Sequence, residues 1–544
     1  MADMTWSARG EAKRSSVLES IPKAWRLASI PSVDELPNDL AFVAEQLSSE
    51  EREITEMELP ALISAVASGR LSARKVTEAY AHRAAVAHQL TNCLSEFMLP
   101  SALKEADRLD QHLAKTGNTV GPLHGIPVSL KDQFFVDGYE TSVGFVAWLD
   151  GPASREDEAG IVPILRAAGA VFHVKTNVPT STMCIETVNN VIGKTVNPYN
   201  RAYSPGGSSG GEGALLAQRG APIGVGTDIG GSVRVPCSLN GLWGLKCSPH
   251  RLPPAGARTP IQGQISIPSV IGPMTDSLDA LEFFTKLTLN ARPWETDPEV
   301  IEMPWRSYDV PEKLVFGMVL DDGVVLPQPA VRVAVEKLAD KLREAGHEVI
   351  EFEPPSHAEG LNIWTGGNQI HALCEETGEP LIEEVAEIMG AGMGDREVMS
   401  AEEVWEMAAE RVAYTAKYDK AWNATAEVTQ CQRPMDALLM PTTAAVGWKR
   451  GDPNYLGYTP VGNVLQYTGI SMPLAKAEPV PKESRDDFYN DVDETIHNLY
   501  SPKDTAGMPV GIQMLGRRFQ EEKVIAIARV IEKIVFPSPP EAAL

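Results

Sequence analysis

Serine sits among glycines twice in the middle of this chain, at Gly206-Gly207-Ser208-Ser209-Gly210-Gly211 and at Gly230-Gly231-Ser232. Glycines beside a serine let backbone N–H groups and a hydroxyl close on one small reacting group from several directions. In Thr227-Asp228-Ile229-Gly230-Gly231-Ser232 the two glycines allow a tight concave turn that β-carbons would block. Ser232 then reads as a nucleophile. The amides of Ile229, Gly230, Gly231 and Ser232 become donors to the oxyanion that develops in acyl transfer. The plainer reading of the same turn is a strand-to-helix connection in which Ser232 caps the helix. Lys131 ends the run Ile126-Pro127-Val128-Ser129-Leu130, where burial converts an amine into a base. A free lysine with a pKa of ~10.4 is neutral about one time in a thousand near pH 7.4. Desolvation lowers that pKa by up to roughly 3–5 units. A neutral Lys131 can take the proton of Ser208 while Ser208 takes that of Ser232. The same path run backwards protonates a departing amide nitrogen.

Three rival motifs fail on context. Gly206-x-Ser208-x-Gly210 matches a nucleophile elbow, which needs a strand directly before the serine. Tyr199 to Pro205 is instead polar and bounded by prolines. No Gly-Lys-Ser/Thr follows either cluster, which argues against a phosphate loop. Gly224-x-Gly226 is followed by Ile229 where a dinucleotide fingerprint needs its third glycine. The ten histidines stand singly without metal-ligand spacing, so neither a metal nor a catalytic histidine is expected. Asp228 and Arg234 flank Ser232 and are expected to orient its loop.

The elements that must position these residues can be read from periodicity. Apolar residues recur at helical spacing from Glu58 to Leu90, with a break at Gly69. Ile126 to Lys131 alternates as a strand, with Ser129 and Lys131 on one face and Ile126, Val128 and Leu130 on the other. A helix over Ile161 to Ala168 stops at Gly169, and a strand follows over Ala170 to Lys175. The first glycine cluster opens a small-residue helix over Ala214 to Gln218, and a strand over Ile223 to Thr227 runs into the second cluster. Ala437 to Pro441 and Pro509 to Leu515 are further strand candidates. Strands alternating with helices predict an α/β fold, a large twisted mixed sheet covered by helices on both faces. Residues 1–90 read as an N-terminal helical extension and 91–544 as one compact unit. The stretch from about 290 to 430 reads as helical and carries no interpretable chemistry.

Composition narrows the partners. The chain has 48 basic and 73 acidic residues, a formal charge of −25 and a pI near 4.9. Such a surface repels phosphate backbones and anionic lipid, so neither nucleic acid nor a membrane is expected. A small-molecule substrate is, and a homodimer is compatible with the sequence. Six scattered cysteines without a CxxC pair read as reduced, buried thiols. The polar first twenty residues do not resemble a signal peptide, so the expected location is cytoplasmic.

Four motifs occur in order: Gly-Ile-Pro-Val-Ser-Leu-Lys131-Asp132, Lys175-Thr176-Asn177, Gly-Gly-Ser208-Ser209-Gly-Gly-Glu-Gly, and Gly226-Thr-Asp-Ile-Gly-Gly-Ser232-Val-Arg234-Val-Pro236. Together they resemble the amidase signature family of Ser-Ser-Lys hydrolases. Flanking segments such as Ile21-Pro22-x-x-Trp25 and Glu186-Thr187-Val188-Asn189-Asn190 look like its fungal acetamidase or general amidase branch. The resemblance implies a cofactor-free amidase with Lys131, Ser208 and Ser232 as the catalytic set and Ile229 to Ser232 as the oxyanion hole. It also implies Ser209, Asp228 and Arg234 in support, and Thr182, Met183 and Ser208 on the substrate, with Cys184 in the same pocket wall. Small carboxamides are the expected substrates. Hydrolysis of carbamates or aryl anilides on the same site is the alternative, and an amidotransferase subunit is a weaker one.

Overall fold

The computed structural model describes residues 4–361, 368–389 and 400–537. Eleven strands among them form one mixed sheet. They are β1 (Leu94–Phe97), β2 (Pro127–Lys131), β3 (Val171–Thr176), β4 (Gly224–Asp228), β5 (Trp243–Lys246), β6 (Val270–Thr275), β7 (Val315–Met318), β8 (Glu348–Glu351), β9 (Ala437–Pro441), β10 (Thr468–Lys476) and β11 (Pro509–Gly516). Their order is β1-β3-β2-β4-β6-β5-β10-β11-β9-β7-β8. β3, β2 and β4 run parallel, as do β9, β7 and β8, and the other pairings are antiparallel.

Alternation along the strands separates the two faces of the sheet. Val128 and Leu130 of β2, Val225 of β4, Ile470 and Met472 of β10, and Ile512 and Met514 of β11 enter one apolar cluster. The helices Leu59–Ala67, Ile161–Ala167, Leu278–Asn290, Pro329–Glu344 and Glu521–Val535 pack into that cluster through Leu62, Leu165, Leu281, Leu338 and Ile527. Each such fully buried side chain contributes about 1.5–3 kcal/mol of burial free energy. The intervening residues Leu438, Met440 and Leu515 join a second cluster with Tyr418, Trp422 and Val464. Ser129 and Lys131 alternate away from the first cluster, and that is why a lysine can end a buried strand without disturbing the packing behind it.

The two helices expected between Glu58 and Leu90 are Leu59–Ala67 and Ala73–Thr91. Gly69 between them adopts φ +73°, and Ser72 caps the second helix by accepting from Lys75 N–H. Val76 and Tyr80 of this helix enter the first cluster, whereas Ala84 and Ala87 enter another. The helical stretch before residue 91 therefore shares its core with the strands and helices beyond it. Two strands, β7 and β8, lie within the stretch read as helical. Four more strands, β1, β5, β6 and β10, lie outside the segments expected from periodicity; β6 contains Gly272 and Pro273, and β10 contains Gly469 and Pro473, residues that weigh against a strand. Five cysteines are buried as expected, but Cys431 is exposed.

Candidate active site

β2 and β4 are parallel neighbours, so their carboxyl ends open on the same edge of the sheet. Lys131 closes β2, and the glycine turn of Ser232 follows β4. The other serine cluster begins the helix Gly210–Ala217, four residues earlier than the apolar pattern predicts. There Lys131 Nζ lies 2.7 Å from Ser208 Oγ and 2.8 Å from Thr227 Oγ1. Lys131 is 0 % exposed, Ser208 1 % and Ser232 6 %. Burial pushes the Lys131 amine down to about 7, against the opposing pull of the Asp228 and Glu212 carboxylates. Glu212 is itself raised to about 8 by burial, and its Oε2 accepts from the Ser129 hydroxyl at 2.6 Å. Asp132, the next residue, turns to the opposite side and pairs with buried Lys175 at 2.8 Å. Its Oδ2 accepts from Ser142 and Val143 N–H. Of the two neighbouring lysines on β2 and β3, only Lys175 has a carboxylate within ion-pair distance among the described residues.

The two serine loops are joined through the backbone, where Ser209 N–H donates to the Ser232 carbonyl at 3.3 Å. No hydrogen bond links the Ser208 and Ser232 hydroxyls among the described residues. The Ser232 turn is held from beneath by a buried ion pair. Arg234 Nη2 lies 3.0 Å from Asp228 Oδ1, and both side chains are fully buried. Burial alone would raise the Asp228 carboxyl, but the Arg234 guanidinium holds it well below the usual carboxylate range. Asp228 Oδ1 accepts from Gly231 N–H at 2.8 Å and Oδ2 from Val233 N–H at 3.2 Å.

The Gly231 N–H is engaged by the Asp228 carboxylate, while the N–H groups of Ile229, Gly230 and Ser232 have no partner among the described residues. Gly231 has φ +131°, and a β-carbon there would lie 2.3 Å from Thr459 Oγ1. Replacing Arg234 by leucine is expected to destabilise the protein by about 3–5 kcal/mol, because Asp228 would be left as an unpaired buried charge. The shift in urea midpoint measures it, and Asp228→Asn in the same background should recover part of the loss.

A cavity of about 620 Å³ opens onto this edge, with Gln133, Thr182, Met183, Ser208, Thr227 and Ile229 in its wall. Thr182 and its neighbour Ser181 hold left-handed backbone, φ +60° and +66°, conformations that cost of order 1–3 kcal/mol and cluster at functional sites. Cys184, expected in the same wall, packs behind it in an apolar cluster with Val188, Ile370 and Cys374. Burial drives its thiol well up from its ordinary value. The segment 254–269 covers the other side of the cavity. No group of three His, Cys, Asp or Glu side chains converges to hold a metal among the described residues.

Several contributors were beyond the reach of sequence spacing. Thr459 Oγ1 donates to the Gly230 carbonyl at 2.7 Å, and Arg234 donates to Thr459 O, Gln513 Oε1 and Asn463 Oδ1 at 2.8, 2.7 and 2.6 Å. These partners stand far along the chain from the Ser232 turn, in segments whose only local signal is their own secondary structure.

The Amidase family model matches residues 75–525. An acetamidase of Emericella nidulans is 37 % identical over 98 % of this chain and 98 % of its own length. The chain belongs to the amidase signature family. It is a hydrolase acting on amides. An acetamidase of Aspergillus oryzae is 36 % identical over 98 % of the amidase and all of its own length. Among solved structures, a fatty acid amide hydrolase superposes with a TM-score of 0.91 at 31 % identity, covering 98 % of the amidase and 95 % of that chain. No helix among the described residues is long and apolar enough to cross a membrane.

Proposed function

We propose that this amidase cleaves small carboxamides through an acyl-enzyme on Ser232, with Lys131 and Ser208 as its proton relay. The reading is carried by one observation, a fully buried lysine amine 2.7 Å from the Ser208 hydroxyl. Ser232 Oγ bonds to the carbonyl carbon as its proton passes to Ser208 Oγ and the Ser208 proton passes to Lys131 Nζ. The carbonyl electron pair becomes an oxyanion facing the free N–H groups of Ile229, Gly230 and Ser232. Lys131 returns its proton through Ser208 to the amide nitrogen as the C–N bond breaks, which releases ammonia or an amine. Water then cleaves the ester by the same relay in reverse roles. Thr182 and Met183 border the acyl group.

Two acetamidases among the relatives support short acyl chains. The cavity volume, larger than a short amide fills, favours a second reading in which aryl anilides or carbamates are also accepted. Each accommodated methylene adds only ~1–3 kcal/mol of discrimination, so specificity should be broad within a size limit. Comparing kcat/KM for acetamide, butyramide, benzamide, an anilide, ethyl carbamate and a C18 amide tests this. The highest value is expected among the first three. A maximum at the C18 amide would refute the small-amide reading, and one at the carbamate or anilide would establish the second.

A further inference from the structure

Among the described residues Lys131 Nζ has two hydrogen-bond partners, and only one is the serine it serves. The other is Thr227 Oγ1 at 2.8 Å, which in turn lies 2.5 Å from Gln133 Oε1. The orientation of the Gln133 amide is fixed from its far end. Its Nε2–H donates to the Arg258 carbonyl at 3.1 Å, and a carbonyl can only accept. Gln133 therefore presents Oε1 to Thr227, and the single hydroxyl proton of Thr227 is committed to that oxygen. Towards Lys131, Thr227 has only lone pairs left, so it accepts from a lysine N–H.

The direction of this contact matters because a neutral amine has one lone pair. Were Thr227 to donate instead, that lone pair would be occupied and Lys131 could not accept the Ser208 proton. We infer that Gln133 and Thr227 are positioning residues that set the direction of the proton relay, keeping the Lys131 lone pair available to Ser208. The inference rests on the proposed role of Lys131 as base. The chain Arg258 O, Gln133, Thr227, Lys131, Ser208 has one consistent arrangement of donors, anchored at a backbone carbonyl. All four of its side chains are buried.

The test is a double-mutant cycle that a structural role would not reproduce. Gln133→Met removes the acceptor and frees the Thr227 hydroxyl to occupy the amine. It should lower kcat about three- to tenfold, the range that corresponds to one neutral hydrogen bond, and move the acid limb of the pH profile downward. Thr227→Val removes the hydroxyl and should cost less than Gln133→Met. Adding Thr227→Val to Gln133→Met should then raise kcat to the level of Thr227→Val alone. Gln133→Glu keeps an acceptor for Thr227, and its acid limb should move upward, because the added carboxylate favours the lysine cation. Additive losses in the cycle, or an unchanged kcat in Gln133→Met, would overturn the inference. If Gln133→Met fails to fold, a downward limb shift in Gln133→Glu overturns it alone. Retained activity in Lys131→Met would instead remove the base assignment itself, so the two failures are distinguishable.

Discussion

Replacing Ser232 by alanine is expected to lower kcat by about 10³–10⁶, the loss seen when a serine nucleophile is removed from an acyl-transfer site. The loss should fall on kcat more than on KM, since Ser232 forms its bond only during reaction. Ser232 follows a turn whose shape is fixed by Gly231 at φ +131° and by Asp228 accepting its N–H. The Ser232→Ala variant should therefore keep the fold and the thermal midpoint of the parent. A fluorophosphonate should label the parent at Ser232, located by peptide mass spectrometry, and leave the alanine variant unlabelled. Labelling at Ser208 with activity retained in Ser232→Ala would transfer the nucleophile to the first glycine cluster and refute the assignment.

Lys131 carries the second large effect. Lys131→Ala and the better-packed Lys131→Met should both lower kcat by about 10²–10⁴, the usual contribution of a general base, while single replacement of any of the ten histidines leaves substantial turnover. The pH dependence follows from the buried amine. Its pKa lies near 7, so the neutral, proton-accepting form fills as pH rises through about 7. On an uncharged amide, kcat should fall about tenfold per unit below that pH and level off above it. A protonated base in the active form would give the opposite slope. A histidine whose loss matched that of Ser232 would end the assignment.

The proposed catalytic set is legible in the chain because its chemistry is written locally. Ser208, Ser232 and Lys131 each sit in a short run whose glycines or alternating apolar residues report on their own surroundings. The four amides expected for the oxyanion hole lie in one such run, and of these Gly231 donates its N–H to the side chain of Asp228. A carboxylate three residues back can reach an amide or turn from it, and no spacing decides which. Pro273 and Pro473 weigh against strands at β6 and β10, where the surrounding sheet outweighs the local preference.

The reaction class, the elements around the two serine clusters and the face of β2 from which Lys131 projects all follow from local patterning. Periodicity and glycine placement act over a few residues, and those inferences need no more than that. Packing of distant strands is what sets Lys131 against Ser208 and Thr227 while Lys175 is neutralised by Asp132. It also decides that Thr459, Asn463 and Gln513 brace the Ser232 turn from the far end of the chain. Those facts depend on sheet order, with β2 beside β4 and β11 four strands further on. Strand order is set by the burial of whole faces, a property of the assembled sheet that no single segment encodes.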